Sequence, residues 1–143
     1  MKYNSAFFGL CENVFLLLKN EFGKKRALSF FSKIIAAGLK KAYDAEGFAR
    51  GSATDFARAV GRRDKSVGLR VKFPAVAKDR IIYQFWTDPF PNLKGHVPAA
   101  EIDRAYMRFK VQYLLGKGWK YHTTKHLWKG DLCTEHIITR EQF

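Results

Sequence analysis

In the first half of the chain apolar side chains recur every three or four residues; in the second half they recur every two. Over residues 5–22, Phe7, Cys11, Val14, Leu18 and Phe22 keep helical steps, and Phe8, Leu10 and Phe15 widen the stripe. A helix with a broad buried face is expected there, with Ser5 as N-cap, Gly23 as stop and Cys11 as a small core residue. Leu28, Phe31, Ile35, Leu39 and Ala42 predict a second helix over 24–46, closed by Gly47. A third, shorter helix is expected from Ser52, with Asp55 completing an imperfect capping box. It would bury Phe56, Ala59 and Val60 and stop at Gly61.

The period then changes. Val67, Leu69, Val71 and Phe73 alternate with Gly68, Arg70 and Lys72, which predicts a half-buried strand ended, or placed at an edge, by Pro74. Residues 81–88 are apolar on both faces apart from Gln84, as a central strand would be. Asp88 closes that strand ahead of a rigid Pro89-Phe90-Pro91-Asn92 loop, where a turn-capping role is the expected one. From Pro98 a fourth helix is predicted, with Ile102, Tyr106, Phe109 and Tyr113 inward. Glu101, Asp103, Arg104, Arg108 and Lys110 would face outward, and Gly116 and Gly118 would end the helix. Residues 119–139 read as a β-hairpin. The expected fold is α+β: N-terminal helices on a roughly four-stranded, mainly antiparallel sheet, with a helix between the two strand pairs. It forms a single domain over 1–143.

Composition supports a packed core, since 47% of the 143 residues are hydrophobic and 15% aromatic. With 26 Lys+Arg against 13 Asp+Glu the formal net charge is +13. Such a field attracts anions, whether nucleic acid, membrane surface or a small acidic molecule. The basic runs Lys24–Arg26 and Arg62, Arg63 and Lys65 offer an adaptor surface, but no nucleic-acid module accompanies them. Two cysteines make no disulfide framework, so a reduced, cytoplasmic setting is expected. The apolar N-terminal stretch is broken by Glu12 and Asn13 and is too short to span a membrane.

The window 119–139 holds the densest chemistry. A two-residue Lys129-Gly130 turn would set Trp128 opposite Asp131, His126 opposite Cys133, Thr124 opposite Glu135 and His122 opposite Ile137. His126 and Cys133 would then be in hydrogen-bond reach, with Glu135 diagonal to the imidazole, which is the arrangement of an activated thiol. A three-residue turn would instead put Cys133 opposite Leu127. His126, Cys133 and Glu135 or Asp131, helped by His96 or Asp88, make a weaker candidate metal set. No metal or cofactor is expected.

The run Trp128-Lys129-Gly130-Asp131-Leu132-Cys133 resembles the Gly-Asp-x-Cys hairpin of the L-2-amino-thiazoline-4-carboxylic acid hydrolase family. The order of elements over the last eighty or so residues is similar as well. Asp88 stands where that family usually has Cys, and Glu135 where an aromatic residue is usual. The resemblance implies hydrolysis of a small cyclic amidine carboxylate, an anionic, amino-acid-like ligand. Cys133 would attack with His126 as base, while Asp131 or Asp88 holds the amidinium, Glu135 orients the imidazole, and Trp86, Asn92, Trp128 and His122 contact the substrate. The outline also resembles small-molecule-sensing domains of the vinyl-reductase type, which implies a non-catalytic pocket lined by Trp86, Phe90, Trp119 and Trp128.

Overall fold

A computed structural model describes residues 2–141. Helix α1 spans Ser5–Phe22 and α2 spans Lys24–Glu46. Gly23, at φ 82°, lets the chain reverse between them with no ordered loop. The cap of α1 lies one residue earlier than expected: Asn4 Oδ1 accepts the Phe7 N–H at 3.0 Å. Helix α3, Ala53–Ser66, is capped by Ser52 as expected, the Ser52 hydroxyl accepting the Asp55 N–H at 3.1 Å.

Two expected boundaries move. Helix α3 runs past Gly61 to Ser66, because its last turn carries Asp64 into the core. Burial there outweighs the ~1 kcal/mol that a helical glycine costs. Strand β1 is Val71–Ala77 and not 67–73. Residues 67–70 connect α3 to it through Gly68, at φ 80°, where a Cβ would lie 1.9 Å from the Lys2 carbonyl oxygen. Pro74 falls at a register irregularity between Lys72 and Ala75 on an edge strand, where its missing N–H is harmless.

Strand β2, Arg80–Phe85, is followed by a 3₁₀ turn at Pro91–Leu93, helix α4 at Ala99–Leu114, strand β3 at Trp119–Lys125 and strand β4 at Thr134–Arg140. The sheet order is β1-β2-β4-β3, antiparallel throughout. β2 is therefore central, as its two-sided hydrophobicity predicts. Helix α1 lies on α2, α2 on α4, and α3 on β1. The core between helices and sheet is aromatic: Phe15, Phe31, Tyr43, Phe56, Tyr83 and Phe85 are all buried. The expected α+β architecture is the observed one. No helix among the described residues is long and apolar enough to cross a membrane.

Helix α4 departs from its expected faces. Asp103 and Lys110 are not outward: each is 3% exposed. Both find polar partners inside, a hydrogen bond from His126 for Asp103 and the acid Asp64 for Lys110, which is the usual condition for burying such a group.

The hairpin register also needs correcting. His122 does pair with Ile137, but an irregularity between Thr123 and Lys125 puts Lys125, not Thr124, opposite Glu135. The connection is neither a two- nor a three-residue turn. It is a 3₁₀ turn at Leu127–Lys129 followed by Gly130 at φ 89°. His126 N–H donates to Asp131 Oδ2 at 2.8 Å and Leu127 N–H to Thr134 Oγ1 at 3.0 Å. Those side-chain acceptors replace the strand ladder here, so the chain leaves the sheet at His126.

Candidate functional site

The His126 ring leaves the sheet plane and points to α4. Its Nε2 meets Asp103 Oδ1 at 3.2 Å, and Nδ1 accepts the Trp128 N–H at 3.0 Å. An accepting Nδ1 leaves the proton on Nε2, donated to Asp103. Tyr106 Oη donates to the same carboxylate at 3.0 Å. The carboxylate that orients His126 is therefore Asp103, from a different element, and not Glu135. Trp128 Nε1 donates to Asp88 Oδ2 at 2.7 Å, while Asp88 Oδ1 accepts the Phe90 N–H at 2.9 Å, so Asp88 caps its turn. Burial pushes the Asp88 carboxyl up, against the lowering effect of those two hydrogen bonds.

Of the predicted catalytic residues, His126 and Asp88 come together beside Asp103, joined by the predicted substrate contact Trp128. Asp131 is spent on the His126 backbone. Cys133 is 2% exposed, and burial raises its thiol pKa, with the Lys125 charge opposing. With both His126 nitrogens engaged elsewhere, that thiol has no base at hand. Glu135 belongs to a polar ladder on the other face of the sheet, accepting from Gln84 Nε2 at 2.6 Å and Thr124 Oγ1 at 2.7 Å. Those bonds hold its carboxyl below the usual range. Trp86 joins this ladder through Gln84 and lies under Lys72. His122 is exposed on β3. Asn92 is clamped to the buried Glu12 of α1 by its backbone N–H at 2.7 Å and its amide at 3.0 Å. No group of three metal-ligating side chains forms among the described residues. Trp86 and Trp119 line neither the cavity described next nor the crevice beside it; Phe90 lines both, and Trp128 only the crevice.

A second feature lies on the helical side of the sheet. Helices α1, α2, α3 and α4 and the segment around Phe90 line a half-open cavity of about 290 Å³. Its walls are apolar: Phe8, Ile35, Leu39, Leu69, Phe85 and Phe90 among them. Gly38 of α2 also faces it, and a Cβ there would meet nothing within 4 Å. Three charged side chains break the apolar lining: Arg63, Asp64 and Lys110. Arg63 lies over the Phe7 ring, 5.3 Å from its centroid.

Asp64 and Lys110 form a buried polar cluster with Tyr83. Lys110 Nζ donates to Tyr83 Oη at 2.9 Å and stands 3.7 Å from Asp64 Oδ1. Tyr83 Oη in turn donates to Asp64 Oδ2 in a short hydrogen bond. Nζ also lies 5.1 Å from the Tyr106 ring centroid and 5.2 Å from those of Tyr83 and Phe85. Burial drives the Lys110 pKa down, with the Asp64 charge opposing, and drives the Asp64 pKa up, with the Lys110 charge opposing. Residues perturbed this way at a cavity wall are functional candidates.

The sequence carried a signal for this cluster. Lys110 sits four residues after Tyr106 and eight after Ile102, in register with the buried stripe of α4. Asp64 likewise follows Val60 by four residues on α3. A charge on an apolar stripe is the mark of a buried ionic group.

Phe85, Phe90 and Tyr106 separate the cavity from a narrow crevice at His126, Trp128 and Asp88. Beyond it, Asp103 and His126 form one wall of an open polar cleft. Behind the sheet's inner face His136 is fully buried among Tyr83, Phe85, Tyr106 and Tyr121. Its Nδ1 meets Thr123 Oγ1 at 2.9 Å, and its Nε2 has no hydrogen-bond partner among the described residues. Burial lowers its pKa to about 4.

No family model and no curated protein matches the chain. Among solved structures, the phenol-responsive sensory domain of the transcription activator PoxR, determined with phenol, is similar in fold, with a TM-score of 0.65. The match covers 96% of this chain and 74% of that one at 12% sequence identity. At that identity the likeness is one of fold.

Proposed function

We propose that this domain binds a small, largely apolar molecule with one polar end in the cavity between α1, α2, α3 and the sheet, and serves as a ligand-binding or sensing module. The observation that carries this reading is the placement of Lys110 and Asp64, backed by the Tyr83 hydroxyl, in the wall of a largely apolar cavity. An apolar cavity of about 150 Å³ is enough for benzene. A chamber of about 290 Å³ therefore takes a substituted single ring. The polar cluster supplies donors and an acceptor for a hydroxyl or carbonyl on that ring, where they fix orientation. The fold shared with a domain described as phenol-responsive supports the same class of ligand.

The hydrolase reading implied by the Gly130-Asp131-Leu132-Cys133 motif needs Cys133 to meet its base. The buried Cys133 and the His126–Asp103 pair give it less support.

The test uses phenol as the probe. Phenol should move the amide resonances of Ile35, Leu39 and Lys110 and raise the melting temperature; ligand at a hundred times Kd adds about 2.7 kcal/mol. Gly38→Leu should fill the chamber and abolish both effects. Removing a mid-helix glycine favours the helix by roughly 1 kcal/mol, so the variant should fold at least as well. If a panel of phenol, cresol and benzoate left those amides unmoved, the reading would be wrong.

A further inference from the structure

Lys110 is more than a polar contact. Of the groups around Nζ, Asp64, Phe85 and Tyr106 all line the cavity, as Lys110 itself does. The amine therefore lies at the cavity wall with a carboxyl group and a phenol hydroxyl beside it. We propose that Lys110 captures a small apolar aldehyde or ketone in this cavity as an imine. This rests on the reading of the cavity as a ligand site and names the class of ligand.

A lysine amine is a nucleophile only when neutral, and apolar surroundings favour that form. The lone pair on Nζ attacks the carbonyl carbon and forms the C–N bond, while the carbonyl π pair moves to oxygen. That oxygen takes a proton from the Asp64 carboxyl, directly or through Tyr83 Oη, and the nitrogen returns one, giving a neutral carbinolamine. The hydroxyl then leaves as water with a second proton from Asp64, and loss of the remaining N–H proton back to Asp64 gives C=N. The sum is one carbonyl compound and one amine going to one imine and one water. No oxidant, reductant or metal is needed.

The geometry supplies what each step asks for. Tyr83 Oη touches both Nζ, at 2.9 Å, and Asp64, so a proton has a continuous path between amine and acid. The rings of Tyr83, Phe85 and Tyr106 around Nζ also stabilise positive charge on nitrogen when the imine is protonated. Lys110 is 3% exposed, and this limits the access of bulk water, which reverses the reaction, to the C=N bond.

The experiment incubates the full chain with benzaldehyde and sodium cyanoborohydride at neutral pH and maps the reduced adduct by peptide mass spectrometry. Lys110 should be modified about tenfold or more faster than the surface lysines, since only a neutral, oriented amine reacts readily. Saturating phenol should protect it, and Gly38→Leu, which keeps Lys110 but fills the chamber, should slow it by a similar factor. Lys110→Met should remove that adduct and leave the surface adducts in place. Labelling spread over surface lysines, or unchanged in Gly38→Leu, would overturn the proposal. Phenol shifts at the cavity without a Lys110 adduct would sink the imine and leave the binding site standing. Neither phenol shifts nor an adduct would sink both.

Discussion

Lys110 Nζ and Asp64 Oδ1 stand 3.7 Å apart, joined through the Tyr83 hydroxyl, with each side chain almost wholly withdrawn from water. Two helices and the central strand meet at this contact: α4 supplies the lysine, α3 the acid and β2 the tyrosine. It sets the polar end of the cavity and ties the helical layer to the sheet.

Breaking the pair on one side should be costly. Asp64→Ala leaves the Tyr83 hydroxyl without its acceptor and the buried Lys110 amine without its acidic partner, and a loss of roughly 1–3 kcal/mol per orphaned group is expected. The double change Asp64→Leu with Lys110→Met removes both polar groups and should recover most of that loss. Urea unfolding of the two variants measures the difference. A double variant no more stable than Asp64→Ala would show that the pair does not act as a unit.

Asp103 should hold the β3–β4 connection. Asp103→Ala leaves His126 Nε2 and Tyr106 Oη without the acceptor they share. Each orphaned buried donor costs about 1–3 kcal/mol. Hydrogen exchange should quicken at residues 126–131 more than in β2. Equal protection in both would argue against this role.

His136 gives the fold a pH dependence of definite sign. In the native protein its pKa is lowered to about 4 from the ordinary histidine value of 6.5. Between those values the unfolded chain binds the extra proton, so stability rises with pH there. The stabilisation due to this histidine is complete above about pH 6.5 and is lost as pH falls toward 4, in all about 3 kcal/mol. Asp64, raised by burial, titrates with the opposite sign, so the comparison must be between the wild type and His136→Gln. The difference between their stability curves should flatten above about pH 6.5; a constant offset from pH 4 to 7 would contradict it.

Cys133 should alkylate slowly with iodoacetamide at neutral pH, because burial raises its thiol pKa and closes access. Cys11, half-buried at the cavity wall, should react first. Its protection by phenol would report occupancy. Fast, stoichiometric labelling of Cys133, slowed by His126→Ala, would instead revive the thiol hydrolase.

The helices were legible because each buries a stripe at helical spacing. Phe8, Phe15, Phe31, Leu39 and Phe56 all lie in the core, but Leu10 and Phe22, expected on the buried stripe of α1, stay exposed. The central position of β2 was legible from its two-sided hydrophobicity, and the α+β class from the order of the periods. Hairpin register was legible only as far as His122–Ile137, where side-chain alternation governs it. Past that point Asp103, Asp131 and Thr134 capture the chain, and no local pattern encodes an attraction to a side chain on another helix.

The sequence by itself determined the elements, their order and the apolar faces, because these follow from backbone periodicity and the removal of apolar surface from water. Only the tertiary structure decided which charges go inside. The stripe of α4 marks Lys110 for burial, but only Asp64 and His126, arriving from elsewhere in the chain, let Lys110 and Asp103 stay inside. A buried charge survives only where a partner from another element meets it, and that meeting is a property of the fold.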